Sequence, residues 1–115
     1  MKGLLKSLAR DHLARASDHY AQRIGQTYQG LRLRDTRSRW GSCSSNGYLM
    51  YSWRLVMTPP HVLDYVAAHE VAHLVEMNHS KSFWSVVHDI YGDYERPRDW
   101  LRTHGKQLHR YDFNS

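Results

Sequence analysis

His69-Glu70-Val71-Ala72-His73 sets two imidazoles four residues apart, with a carboxylate beside the first. On a helix such a pair shares one face, so both rings can reach a single ion. Glu70 stands about 100° round the helix from His69, off the ligand line but within reach of a water on that ion. This residue set suits zinc-dependent hydrolysis. Zinc lowers the pKa of a bound water toward ~7, and a glutamate takes its proton and later hands it to the leaving group. Catalytic zinc takes three protein ligands and keeps a fourth position open. His79 is the candidate third ligand, and it can serve only if the helix stops and the chain turns back. Glu76, three residues past His73 on the same helix, is the runner-up. Cys43 and His88 are weaker alternatives. The expected cofactor is Zn2+, one ion per chain, on His69, His73 and His79, with Glu70 as the catalytic base.

A five-residue pattern alone says little, so the surrounding elements matter. Val62, Leu63, Tyr65, Val66, Ala67, Val71, Ala72, Leu74 and Val75 make a helix that is apolar nearly all round. Burying three polar side chains in it would be costly without a metal. Thr58-Pro59-Pro60 reads as its start, with Thr58 as cap and proline in the first turn. The expected span is 59–77. Asn78 suits a left-handed turn position, and Ser80 can cap the next helix over about 81–91, which Gly92 ends. A last helix over about 95–104 stops at Gly105, so residues 80–104 are read as C-terminal helices.

Before the motif, residues 1–26 read as an N-terminal amphipathic helix (Leu5, Leu8, His12, Leu13, Ala16, Tyr20, Ile24) that stops at Gly25. Residues 28–57 read as a sheet. Tyr28, Leu31 and Leu33 alternate with Arg32 and Arg34, Asn46-Gly47 is a hairpin signal, and 48–57 should return as strand. The fold class that follows is α+β: a small antiparallel sheet packed on helices, with the HExxH helix central, in a single domain of 115 residues.

The net charge of +5 suits anionic partners, so a nucleotide or nucleic acid is a candidate beside a peptide or protein substrate. Lys2, Lys6, Arg10, Arg15, Arg32, Arg34, Arg37 and Arg39 supply the basic groups. A single cysteine, Cys43, excludes an internal disulfide framework. No segment approaches the ~20 apolar residues of a membrane span, and no signal-peptide pattern opens the chain. The expectation is a cytoplasmic protein without a membrane partner. His12, His19, His61, His88, His104 and His109 read as surface or core-edge histidines.

Several segments together resemble a known family. RWGSC at 39–43, YSWRLVM at 51–57, DYVAAHEVAHLVEMNHSKSFW at 64–84 and DW at 99–100 are similar to the YgjP-like metallopeptidases, a zincin group related to the SprT-like proteases. The resemblance spans about residues 35–104. It implies a zincin-like fold, zinc on His69, His73 and His79, Glu70 as catalytic residue, and peptide hydrolysis. A phosphoanhydride hydrolase acting on nucleotides is an alternative, and a non-catalytic zinc-stabilised nucleic-acid module is a second. A structural zinc site, however, needs no general base. The His73-to-His79 spacing matches that of metzincins, but Glu76 stands where their glycine turn would be. The turn should therefore be made around Met77 and Asn78. Arg39, Tyr48, Tyr51 and Arg54 are oxyanion-stabilising candidates by type. Trp40-Gly41-Ser42 is either a rim of the site or a tight packing turn. Tyr48–Trp53 is the strand that would pair with a peptide.

Overall fold

The computed structural model describes residues 2–35 and 39–109, with side chains at 3–35 and 39–104. Arg37 of the basic set lies outside these residues, as do the side chains of Lys2 and His109. Helix α1 spans Lys2–Arg23, and the chain leaves it through Gly25 at φ +66°, a left-handed conformation that glycine adopts without steric penalty. Ala9, Leu13, Ala16, Ser17, Tyr20 and Ala21 form its buried face. Leu8, which the spacing placed on that face, points outward, and the small Ala9 takes its place against the core.

Three strands follow: β1 (Gly30–Arg34), β2 (Gly41–Cys43) and β3 (Tyr48–Ser52), in the order β1-β3-β2. The Asn46-Gly47 hairpin is present, with Gly47 at φ +87° and its N–H donating to the Ser44 carbonyl at 3.0 Å. It joins β3 to β2, a three-residue strand hidden in the turn-rich composition. The other edge of β3 is left for β1, which runs in the same direction, from Gly30 opposite Tyr48 to Arg34 opposite Ser52. The sheet is therefore mixed and not antiparallel, and β3 is its central strand. The expected alternation holds in β1, with Leu31 and Leu33 half-buried and Arg32 and Arg34 exposed.

The apolar run 48–57 does not stay extended. At Ser52 the side-chain oxygen accepts from the Arg54 N–H, and Trp53–Met57 coils into a 3-10 helix. Thr58 donates its hydroxyl to the Leu55 carbonyl at 2.6 Å. It thus closes this short helix and does not cap the next, as the sequence had suggested.

Helix α2 spans Pro60–Ala72 and is the centre of the molecule, packed against α1, β2, α3 (Lys81–Tyr91) and α4 (Glu95–His109). From Val62 to Ala72, every residue except Asp64 is buried. Ser80 caps α3 by accepting from the Phe83 N–H, and Gly92 ends α3 at φ +102°. Helix α4 continues through Gly105 to His109, since an interior glycine weakens a helix by about 1 kcal/mol and does not forbid it. Among the described residues no helix is long and apolar enough to cross a membrane.

Candidate metal centre

The last turn of α2 carries His69 and Glu70 inward and its C-cap is His73, at 3%, 3% and 8% exposure. The helix then stops at Ala72, earlier than the expected 77, without a glycine. His73 takes φ −67° and ψ −13°, and the N–H groups of Leu74 and Val75 reach back three residues to Val71 and Ala72, at 2.9 and 3.1 Å. Such i→i−3 bonds tighten the closing turn. The His73 ring takes part in the same turn, with Nδ1 donating to the Glu76 carbonyl at 3.0 Å. A bend at Met77 and Asn78 then brings His79 back over the helix end.

The result is a cluster in which one ring nitrogen from each of His69, His73 and His79 lies within 4.8 Å of the others. The Nε2 atoms of His69 and His79 are 3.3 Å apart. Two nitrogens on a tetrahedral zinc stand about 3.3 Å apart, so the spacing fits a shared ion. Nδ1 of His73 donates to a carbonyl, which leaves its Nε2 lone pair for the cluster, and Nδ1 of His69 lies 3.2 Å from the Tyr65 hydroxyl. Burial holds the His69 ring well below its ordinary pKa, helped by repulsion from His73 and His79, and it lowers His73 and His79 too. The neutral imidazole is the form that binds metal. Of the other candidate ligands, Glu76 offers its backbone carbonyl to His73, and neither Cys43 nor His88 joins the cluster. The Cys43 thiol is pushed up to about 11 by burial and by the neighbouring Glu70.

Glu70 is buried beside the histidines, and burial raises its carboxyl to about 8, partly opposed by the Arg39 charge. Gly41 lies directly against it. A Cβ at Gly41 would stand 3.0 Å from Glu70 Cγ and 3.1 Å from the Met50 carbonyl. Trp40 and Gly41 also line a slot of about 20 Å³ with Tyr65, His69, Glu70 and Arg98, which is room for about a single water. The segment is thus both a tight packing turn and a wall of the site.

These elements match the YgjP-like metallopeptidase domain model over residues 1–104. The chain belongs to the YgjP-like metallopeptidase family. It is a hydrolase of a class that uses a metal ion, and its three clustered histidines could hold one. Its fold is similar to that in the crystal structure of the metallopeptidase zymogen abylysin from Pyrococcus abyssi, at a TM-score of 0.66 and 22% identity over 90% of this chain and 99% of that one. No curated protein matches it in sequence.

In this YgjP-like chain the oxyanion candidates divide. Arg39 reaches Glu70 electrostatically. Tyr51 is wholly buried, with its hydroxyl 2.9 Å from Ser17 Oγ and donating to the Ala67 carbonyl at 3.4 Å, so it belongs to the core. Arg54 is engaged by Asp35 at 2.8 Å, and Tyr48 lies under Arg32. His12 has a partner that the sequence did not reveal, Asp64 at 3.3 Å. Tyr48–Trp53 is not an edge: Tyr48–Ser52 is paired on both sides and Trp53 begins the 3-10 helix. Among the described residues, the outer strand next to Glu70 is β2.

Four residues at the site were not singled out from sequence. Phe83 stacks on His73 at 4.4 Å and 26°, and meets His69 and His79 edge-on at 4.9 and 5.0 Å. Trp84 stacks on His79 at 6.1 Å and 29°. Tyr65 sits one turn before His69, a spacing from which its contact could have been read. Arg98 comes from α4 and had no local signal.

Proposed function

We propose that this YgjP-like hydrolase is a zinc peptidase working as a single zincin-like domain, with His69, His73 and His79 as ligands and Glu70 as general base. The convergence of three neutral imidazoles beside a buried glutamate carries the reading. A zinc ion held there would act as a Lewis acid, making a water acidic and a carbonyl electrophilic.

The chain's own residues supply the remaining steps. Tyr65 and the Glu76 carbonyl fix the orientation of His69 and His73, and Phe83 and Trp84 restrict the rings from the other side. Glu70 takes a proton from the attacking water and returns it to the leaving amine. Arg39 keeps part of the carboxyl ionised against the effect of burial. The β2 edge, which touches Glu70 through Gly41, offers a peptide a backbone to pair with as an added strand.

The test is a side-by-side assay of the zinc-loaded protein on an unfolded polypeptide and on nucleoside triphosphates. Cleavage of the polypeptide alone is expected. Release of phosphate or pyrophosphate without peptide cleavage would replace the peptidase reading by the phosphoanhydride one.

A further inference from the structure

Beside His79 the centre opens onto a groove of about 530 Å³, lined by His79, Lys81, Trp84, Asp89, Tyr94 and Arg98 among others, a size typical of ligand sites. We propose that Arg98 is a specificity residue of this groove and receives a substrate carboxylate within three residues of the cleaved bond, a role that rests on the peptidase reading above.

Arg98 lies on the boundary between two spaces. It lines the slot beside His69 and Glu70 and also the open groove. Its guanidinium is held 4.5 Å over the Trp84 ring, and that ring stacks on His79 at 6.1 Å. The charge is therefore no more than about 11 Å from the His79 imidazole. An extended chain advances ~3.3–3.6 Å per residue, which sets the limit of three residues.

A guanidinium held over an aromatic face keeps its N–H groups for hydrogen bonds, and their fork suits a carboxylate bidentately. Nη1 donates to Glu95 at 3.4 Å, but that carboxylate is 59% exposed, and such a solvent-screened pair is readily exchanged for a buried partner. The groove is also polar along its length. Lys81 stands two residues from His79 at the capped start of α3, whereas Asp89 is eight residues farther along the helix, about 12 Å away. His88 lies at the Asp89 end. A carboxylate entering near His79 meets Arg98 and Lys81 and stays clear of Asp89.

The carboxylate can come from an acidic side chain or from a free C-terminus. Alanine-based hexapeptides distinguish these sources, with a single Glu, Gln or Lys scanned through each and each made as free acid and as amide. Given to the zinc-loaded full chain, the Glu peptide should exceed its Gln counterpart in kcat/KM by about tenfold or more at one position. If the C-terminus is the source, free acid should exceed amide by that factor and the Glu scan should be flat. In Arg98→Gln the ratio should fall to about one, and Arg98→Lys should keep part of it. The same peptides are titrated into zinc-loaded Glu70→Gln, with tryptophan fluorescence as readout, so that preference is seen without turnover. Indifference of the wild type to all these changes, or an Arg98→Gln protein that slows on every peptide yet keeps the ratio, overturns the proposal. Preferential binding with no cleavage by the wild type would retain the carboxylate site and remove the peptidase reading.

Discussion

At the end of α2, His69, Glu70 and His73 are buried, and the two rings have named partners: His69 has Tyr65, and His73 has the Glu76 carbonyl and the Phe83 ring. In the sheet a few residues away, Leu49 and Tyr51 are buried by packing, and the polar Tyr51 hydroxyl is answered by Ser17 and Ala67. The sheet is therefore complete as the chain folds. The end of α2 gathers three imidazoles whose mutual approach and depressed basicity suit a cation. The buried polar groups of one region are satisfied within the fold, and those of the other include three imidazoles that could hold an ion.

Substitutions that affect one region and spare the other test this division. The largest effect is expected from His69→Ala. Zinc content should drop from about one per chain to near zero, and the melting temperature should fall to that of the chelator-treated wild type, because a metal bound only by the folded state stabilises it. Calorimetry with and without chelator checks both.

Gly41→Val strikes the seam between the regions. Its side chain would press on Glu70, the Met50 carbonyl and Tyr51. Overpacking should cost about 1–3 kcal/mol, measured by urea unfolding, with hydrolysis lost alongside. A stable, active Gly41→Val would mean that this close contact matters to neither region.

Tyr65→Phe keeps the ring and removes the hydroxyl beside His69 Nδ1. Zinc affinity should weaken by about 10–100-fold, while the zinc-free protein unfolds at nearly the same urea concentration. The smallest change is expected from Ser17→Ala. It leaves the Tyr51 hydroxyl with only its longer bond to Ala67, a loss of about 1 kcal/mol with zinc binding unchanged. If Ser17→Ala weakened zinc binding instead, the two regions would be coupled.

The two regions also differed in how far the sequence disclosed them. The helix end is local chemistry. The four-residue histidine spacing, the Ser80 cap and Gly92 all act within a few residues of themselves, so His79 could be placed by asking where the chain must turn. The closing of α2 at Ala72 was less visible, because it depends on the His73 ring reaching its own backbone and not on a glycine. The sheet is non-local. No pattern within Gly30–Arg34 states that it will run parallel to Tyr48–Ser52, and the three residues of β2 are too few to show a period. The same limit hid Arg98, which reaches the site from another helix. It also left Tyr51 a candidate until its hydroxyl proved to face α1.

Glu70 is the residue through which the two regions meet, and it gives the most direct test. Zinc content and peptide hydrolysis should be measured on one preparation of Glu70→Gln, which keeps the shape of the side chain. The expected outcome is about one zinc per chain with the rate reduced by about 10²–10⁴-fold. A zinc-loaded Glu70→Gln that cleaves peptide at the wild-type rate would contradict the assignment of Glu70 as the base.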